Sequence, residues 1–578
     1  MFSRLLIANR GEIACRVIRT ARRLGLATIA VYSDADAGAR HVRLADEAHR
    51  LGPAPARESY LSIGRVLEAA TAAGAEAIHP GYGFLSENAG FASDCAERGL
   101  MFVGPPPAAI AAMGSKIAAK EAMRRAGVPV LPGYQGEDQS AERLRREALA
   151  LGFPLIIKPS GGGGGKGMQI VAEASQLDAA LESARRVASS AFADPALLLE
   201  RYLQAPRHVE VQVLCDGHGH ALHLGTRDCS VQRRHQKLIE EAPAPDLPED
   251  LREHMHAAAL TVARAVGYQG AGTVEFLYAD GRFWFMEMNT RLQVEHGVTE
   301  RVFGLDLVEW QLRVAAGEAL PFAQGDLVPR GHAIEARVCA EDPAEDFRPS
   351  AGPLTVLRWP PESATLRVDA GFESGDQVPS HYDSLLGKLI ASGPDRREAA
   401  RTLLRAIETL RVGGVRTNAA WLAAALASPA FVEATPTTRF VAEQGEALSA
   451  PTAVGAAELA VAALEIAGAG AESIGGPVPS AAAEPLSPWA VRDAFRVNLP
   501  ATQCLVLVSG GRELPVAITR ERDAWSVASE LGVCRIGFEL PARPADAQGS
   551  ADLRSLGAWI GGVRRRIEVH RHADRVSL

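Results

Sequence analysis

The sequence predicts a multidomain α/β chain that begins with an open parallel sheet and ends in a small β domain. Three observations predict it. Strand and helix patterns alternate from residue 1 to about 112, apolar strands in the middle of the chain end in glycine or in charged side chains, and short strands return alone after a Pro/Ala/Gly-rich stretch at 446–486. At 578 residues the chain is long enough for several domains.

The first element is the strand Leu5 to Ala8. Ile13, Val17, Ile18, Ala21 and Leu24 then mark one face of a helix, and Thr28 to Tyr32 forms the next strand. The turn Asn9-Arg10-Gly11-Glu12 lacks the GxGxxG fingerprint, which argues against NAD despite the topology.

Leu155-Ile156-Ile157 is a short apolar strand that runs into Lys158. Gly161 to Gly165, Lys166 and Gly167 follow, before a second apolar strand from Met168 to Val171. Five glycines lose a great deal of backbone entropy on folding, and so are there for something other than packing. They let the backbone approach a ligand and present N–H groups to phosphate. The run lacks the Gly-Lys-Ser/Thr of a P-loop, and a linker would not sit between two apolar strands.

Gly272 to Tyr278 and Phe283 to Met286 read as a hairpin around Ala279-Asp280-Gly281. Beyond it comes a run of polar residues, Glu287, Asn289, Arg291, Gln293 and Glu295. Alternation puts Glu287 and Asn289 on one face. A three-residue loop would set Glu275 opposite Phe285 and diagonal to Glu287, about 5–8 Å away. Two carboxylates and an amide oxygen there suit Mg²⁺ or Mn²⁺. A two-residue Asp-Gly turn would put Glu275 on the other face, and an edge hairpin facing solvent is the alternative for the whole row. The glycine run favours the metal.

Net charge is −8, which argues against nucleic acid and anionic membranes as partners. Seven scattered cysteines without a CxxC pair suggest unpaired thiols in a reducing compartment. No run of about 18 apolar residues suggests a membrane span. The N-terminal apolar run is too short for a leader and enters the first strand directly, so a cytoplasmic location is expected.

Several strings occur in order: Ile7-Ala8-Asn9-Arg10-Gly11-Glu12-Ile13, His79 to Asn88, the glycine run, Arg207-His208-Val209-Glu210, Arg227 to Lys237, Glu287 to His296, and Tyr382 to Leu389. Together they resemble the ATP-grasp enzymes and, within them, biotin carboxylase, along residues 1 to about 445. The resemblance implies a biotin carboxylase N-terminal domain at 1–112, an ATP-grasp domain at 113–330 and a C-terminal α+β domain at 331–445. A linker at 446–486, with a helix over Ala456 to Ile466, would lead to a small β domain at 487–578. Its strands are expected at Phe495 to Leu499, Cys504 to Val508, Leu514 to Thr519, Cys534 to Leu540 and Arg564 to Val569, with Gly510-Gly511 as a hairpin turn. This domain is similar to the subunit-docking domain of methylcrotonyl-CoA carboxylase.

The family's reaction is ATP-dependent phosphorylation of bicarbonate to carboxyphosphate, whose CO₂ passes to the ureido nitrogen of biotin. The resemblance assigns ATP to Lys116, Lys158, His208, the backbone of Gly163, Gly164, Gly165 and Lys166, the adenine segment Glu200, Arg201 and Leu203, and to His235 and Gln236. Read alone, Lys116 would be a solvated surface lysine and His235 and Gln236 a polar loop. Lys158, ending an apolar strand, is costly unless paired. The metal ligands would be Glu275, Glu287 and Asn289. Bicarbonate falls to Lys237, Arg291, Gln293 and the backbone of Val294, with Glu295 beside Arg291 as the base. Arg337 would stabilise the enolate-like oxygen of biotin. The plain alternatives are an ion pair between Glu295 and Arg291 and a structural role for Arg337.

One departure stands out. The family usually has proline after the histidine of this segment, where the chain has Gly297, a change expected to loosen the turn. The last lysine is Lys388 and the last methionine Met288, so biotin is expected on another domain or protein. A carboxyltransferase (beta) subunit and an oligomer are the implied partners, with methylcrotonyl-CoA favoured over acetyl-, propionyl- or geranyl-CoA. A non-catalytic scaffold subunit and another carboxylate–amine ligase are the competing readings.

Overall fold

The computed structural model describes residues 1–161, 167–192, 194–449, 454–467, 502–509, 511–521, 524–538, 553–572 and 575–577. These residues fall into two compact units. The larger holds 1–352, 358–410 and 416–449; the smaller holds 353–357, 411–415 and the chain from 450 onward.

The larger unit opens with the expected parallel sheet. Its five strands run in the order Glu47–Gly52, Ala27–Ser33, Arg4–Ile7, Ala77–His79, Met101–Phe102. The helix Gly11–Arg23 covers one face, burying Ile13, Val17, Ile18 and Ala21 as the periodicity predicts, with Ala14 beside them; Leu24 is its C-cap and only partly buried.

A second sheet of four antiparallel strands carries Leu155–Pro159 between Gln169–Val171 and Leu197–Arg201. Glu200 sits opposite Ile156, so Lys158 is its diagonal neighbour on the same face. Gly163, Gly164, Gly165 and Lys166 lie outside the described residues.

The site is built on a third, eight-stranded antiparallel sheet. Its order is Arg282–Asn289, Gly270–Ala279, Arg207–Cys215, Ala221–Arg233, Gln236–Ala242, His332–Cys339, Leu385–Gly393, Leu366–Ala370. Ile239 pairs with Ala336, so the boundary expected near residue 330 falls within the connectivity of one continuous sheet.

The hairpin that carries the acidic residues differs from expectation. Ala279 pairs with Arg282, so the turn is the two residues Asp280-Gly281, with φ of 50° and 68°. That register alone would put Glu275 opposite Met286. A bulge after Phe276↔Phe285 inserts Met286 as an extra residue, and Glu275 comes directly opposite Glu287.

In the smaller unit, seven antiparallel strands run in chain order from Thr502–Ser509 to Arg575–Ser577. The strands at Thr502–Ser509, Arg512–Arg520, Gly532–Phe538 and Val563–His572 fall where expected, and Ser509 pairs with Arg512 around the anticipated turn. Trp525–Ser529 and Leu553–Ile560 are additional strands, and Phe495 to Leu499 lies outside the described residues. The linker expectation is corrected over Ala456–Ile466. That helix does form, but Leu459, Ala460, Val461, Ala463 and Leu464 are buried against Leu514, Val516, Ile518, Trp525, Val527 and Ile536. Apolar residues spaced at i, i+1, i+4 and i+5 make a core face that no linker requires.

Candidate active site

Each strand of the large sheet contributes alternate residues to one face. His208 and Glu210, two apart on Arg207–Cys215, both point into the site, and Glu210 is paired with Glu275 across the ladder. Next to them, Gln236–Ala242 brings Lys237 and His332–Cys339 brings Arg337.

Lys237 is the hub. Its ammonium lies 2.6 Å from Glu295 Oε1, 3.0 Å from Glu275 Oε1 and in contact with Glu210. Glu295, 1 % exposed, is held from its other side by Arg337 Nη2 at 3.0 Å. Arg337 also donates from Nε to Glu240 Oε1 at 2.5 Å. Burial raises the cost of ionising Glu295, but Lys237, Arg337 and Arg227 outweigh it and hold the carboxyl well below its ordinary range. Glu240 goes the other way, pushed up to about 7 by burial, with Arg337 opposing. The two carboxyls that share Arg337 are therefore shifted in opposite directions.

The alternative of an ion pair between Glu295 and Arg291 is not what forms; these contacts take its place. Arg291 turns to Glu87, Nε to Oε2 at 3.1 Å, and donates from Nη2 to Asn289 Oδ1 at 3.0 Å. Gln293 is buried and donates to Glu275 Oε1 at 2.7 Å. The carbonyl of Val294 accepts from the ammonium of Lys388, itself fully buried beside Glu12 and Glu335.

Glu275 and Glu287 face each other as cross-strand neighbours, and Asn289 Nδ2 donates to Glu275 Oε1 at 2.8 Å. Burial works against ionising Glu275, but Lys237 and His208 hold it well below the usual range. Glu287 is shifted upward by burial and by the charge of Glu275. Two facing carboxyls of opposite shift are a hard-oxygen pair whose repulsion a divalent cation would relieve; Asn289 turns its amide nitrogen to Glu275 and its oxygen to Arg291, so its amide would turn over to complete the donor set. A tighter cluster, His208 with Glu210 and Glu275, already has the Lys237 ammonium among its carboxylates.

His208 Nε2 lies 3.1 Å from Glu275 Oε2; burial lowers its pKa, but Glu275 raises it above the ordinary value overall. Lys158 is ion-paired to Glu200 at 2.6 Å and pushed down to about 8, chiefly by burial. Lys116 opens the helix Lys116–Arg125, whose N-cap is Ser115. Arg201 is exposed and Leu203 half-buried. His235 lies in the tip between Ala221–Arg233 and Gln236–Ala242 with φ of 68°, and Gln236 donates to Glu341 at 3.5 Å.

Gly297 is buried in the first turn of the helix His296–Phe303, with Glu295 as N-cap, rather than in a loose turn. A side chain there would run into Ile390 Cδ1, so Ile390 fills the space.

Sequence reasoning missed Glu87, Glu210, Arg227, Glu240 and Lys388. Glu210 was within reach, because it is two residues from His208 on one strand. Lys388 interrupts the apolar Leu385–Ile390 and was equally visible. Arg227, fully buried, donates from Nε to Glu210 Oε2 at 3.0 Å and from Nη1 to Thr299 Oγ1 at 2.9 Å, contacts that only the fold brings together.

Residues 1–110 match the biotin carboxylase N-terminal domain, 115–323 the carbamoyl-phosphate synthase L chain ATP-binding domain, and 335–443 the biotin carboxylase C-terminal domain. Residues 454–578 match the BT domain of the methylcrotonyl-CoA carboxylase alpha subunit. Two similar proteins are each named methylcrotonoyl-CoA carboxylase subunit alpha, mitochondrial. That of Dictyostelium discoideum is 50% identical over 86% of this chain and 70% of its own. That of Mus musculus is 46% identical over 98% of this chain and 78% of its own. Among solved structures, the biotin carboxylase domain of Hydrogenobacter thermophilus 2-oxoglutarate carboxylase, in complex with MgADP, ADP and bicarbonate, has a TM-score of 0.76 and 42% identity. The alignment covers 78% of this chain and all of that one. The chain belongs to the biotin carboxylase family and is an ATP-dependent carboxylase, a ligase.

Proposed function

We propose that the chain transfers CO₂ from bicarbonate to biotin held on another domain or protein, as the biotin carboxylase component of methylcrotonyl-CoA carboxylase. The observation that carries this is Glu295, buried and ionised between Lys237 and Arg337. The catalytic part resembles an enzyme with a different acceptor, 2-oxoglutarate, so the choice of acyl-CoA rests on the match of residues 454–578.

In this reading Lys237 and Arg291 orient bicarbonate with Gln293 and the backbone of Val294. Glu295 accepts the bicarbonate proton and frees an oxygen to attack the terminal phosphorus of ATP. Lys116, Lys158 and His208 neutralise the phosphates as charge moves to the leaving ADP. Glu275, Glu287 and Asn289 would hold Mg²⁺ or Mn²⁺, which supplies charge neutralisation at the terminal phosphates. Carboxyphosphate then splits into CO₂ and phosphate, the phosphate takes the N1 proton of biotin while Arg337 stabilises the ureido oxygen, and N1 bonds to CO₂. A biotinyl carrier and a carboxyltransferase (beta) subunit are the partners.

The test is ATP cleavage by the purified chain with Mg²⁺, with and without bicarbonate and free biotin. Cleavage that requires bicarbonate and rises with biotin supports the proposal. ATP binding without bicarbonate-dependent cleavage would leave a scaffold subunit.

A further inference from the structure

Lys120 lies one helical turn beyond Lys116, and the site described so far does not use it. It shares the buried stripe of Lys116–Arg125 with Ala119 and Met123, at 3 % exposure. An apolar residue would pack there at lower cost than a lysine. The ammonium of Lys120 is ion-paired to Glu200, which is 1 % exposed and also holds Lys158 at 2.6 Å. One carboxylate thus bridges two buried lysines from two different elements.

We propose that Lys120 is a positioning residue that fixes the Glu200 carboxylate as an ionised acceptor, so that the pocket takes a 6-amino purine and refuses a 6-oxo purine. This rests on the reading that Glu200 lies at the nucleotide base. A carboxylate can accept from both ammoniums and still take one further N–H. The exocyclic amine of adenine offers that N–H. The 6-oxo group of hypoxanthine or guanine offers only another acceptor, and a buried acceptor facing an acceptor is strongly rejecting. Lys158 alone would leave the carboxylate free to swing. A second ammonium, from the helix, closes that freedom. Burial depresses both lysines, repulsion from Lys158 adds to this for Lys120, and the charge of Glu287 opposes the depression in each.

The experiment measures binding of MgADP and MgIDP to the full chain by titration calorimetry, alongside KM and kcat for ATP and ITP. Lys120→Met is expected to weaken MgADP about tenfold and MgIDP less than about threefold, with kcat and the KM for bicarbonate unchanged within about twofold. Glu200→Gln, whose amide can donate to a 6-oxo group, is expected to shrink or invert the preference. Lys120→Met added to Glu200→Gln should then change the preference by less than about twofold, because the lysine acts through the carboxylate. Equal weakening of MgADP and MgIDP by Lys120→Met would overturn the proposal and leave a merely structural or phosphate-facing lysine. An unchanged preference in Glu200→Gln would instead overturn the placing of Glu200 at the base. If Lys120→Met does not fold, Lys120→Gln, which keeps a donor but loses the charge, is compared in the same way.

Discussion

Around Glu295, the strands of the large sheet bury Arg227, Glu210, Glu240 and Glu275 and link them through the part-buried Lys237 and Arg337 in a chain of ion pairs. Around the helix Ala456–Ile466, the strands of the smaller unit bury Leu459, Leu464, Leu514, Ile518, Trp525 and Ile536, an apolar core. Both are interiors of antiparallel sheets. The second follows from burial of apolar area alone, at about 25 cal/mol per Å². The first works against that term, because each buried charge loses solvation that its partners return only in part. Charges assembled at such cost need a reason other than stability, which the proposed reaction supplies, whereas the apolar domain follows from folding alone.

If this contrast holds, mutations should separate activity from stability by region. Glu295→Gln gives the largest effect. The amide cannot take a proton, and bicarbonate-dependent ATP cleavage is expected to fall by about 10²–10⁴-fold while nucleotide binding persists. Normal turnover in that variant would remove Glu295 from the role of base. Arg337→Ala comes next. Biotin carboxylation should drop about 10²–10³-fold with ADP affinity retained, and a joint loss of nucleotide binding would mean that Arg337 is structural.

Leu464→Ala tests the other region. Its side chain is fully buried, so truncation should cost about 2–5 kcal/mol of the smaller unit's stability. Differential scanning calorimetry should show one transition moving, while ATP cleavage with free biotin stays at the wild-type rate. A matching loss of activity would show that the two regions are energetically coupled.

Acid should act in the opposite sense, on the larger unit. Burial pushes His41 and His79 down to about 4. Both are neutral in the fold, whereas the unfolded chain takes a proton near its ordinary 6.5. Their contribution is intact above pH 6.5 and is lost as pH falls toward 4, by about 1.4 kcal/mol per pH unit for each histidine. Urea titrations between pH 7 and 4.5 should show the larger unit weakening first. A midpoint independent of pH would mean that these histidines are solvated.

The acidic pair shows how the sequence could lead to a sound conclusion through a wrong register. Glu275 and Glu287 were expected on one face from a three-residue loop. The turn has two residues, and the bulge at Met286 reverses the consequence. A bulge depends on what the partner strand offers, so no local pattern announces it. Glu275 and Glu287 were legible because polar side chains ending an apolar strand need a reason; Lys237 and Arg337 came only from the family resemblance, since by pattern alone they read as a basic loop and a structural arginine. Glu240 was not legible, since its meaning comes from Arg337 across the ladder. Lys120 was not either, because a lysine on an amphipathic helix reads as solvated until its face is known. The helix Ala456–Ile466 was legible as a helix, but only its neighbours distinguish a core element from a linker.

Gly297 gives the smallest expected effect and the sharpest probe of the catalytic region. In the first turn of a helix the backbone N–H has no partner inside the helix, so proline fits there without loss of a hydrogen bond. Gly297→Pro should stabilise the larger unit by about 0.4–1 kcal/mol through the entropy of the unfolded chain, provided that Ile390 yields at its flexible end. Because Glu295 stands at the N-cap position and its side chain makes no bond to that helix, its contacts to Lys237 and Arg337 should persist, and kcat should change by less than about twofold. Destabilisation with kcat intact would mean that Ile390 cannot move. A fall in kcat at unchanged stability would mean that Glu295 depends on the freedom of Gly297, and that this part of the charged interior is tuned through its backbone as well as its ion pairs.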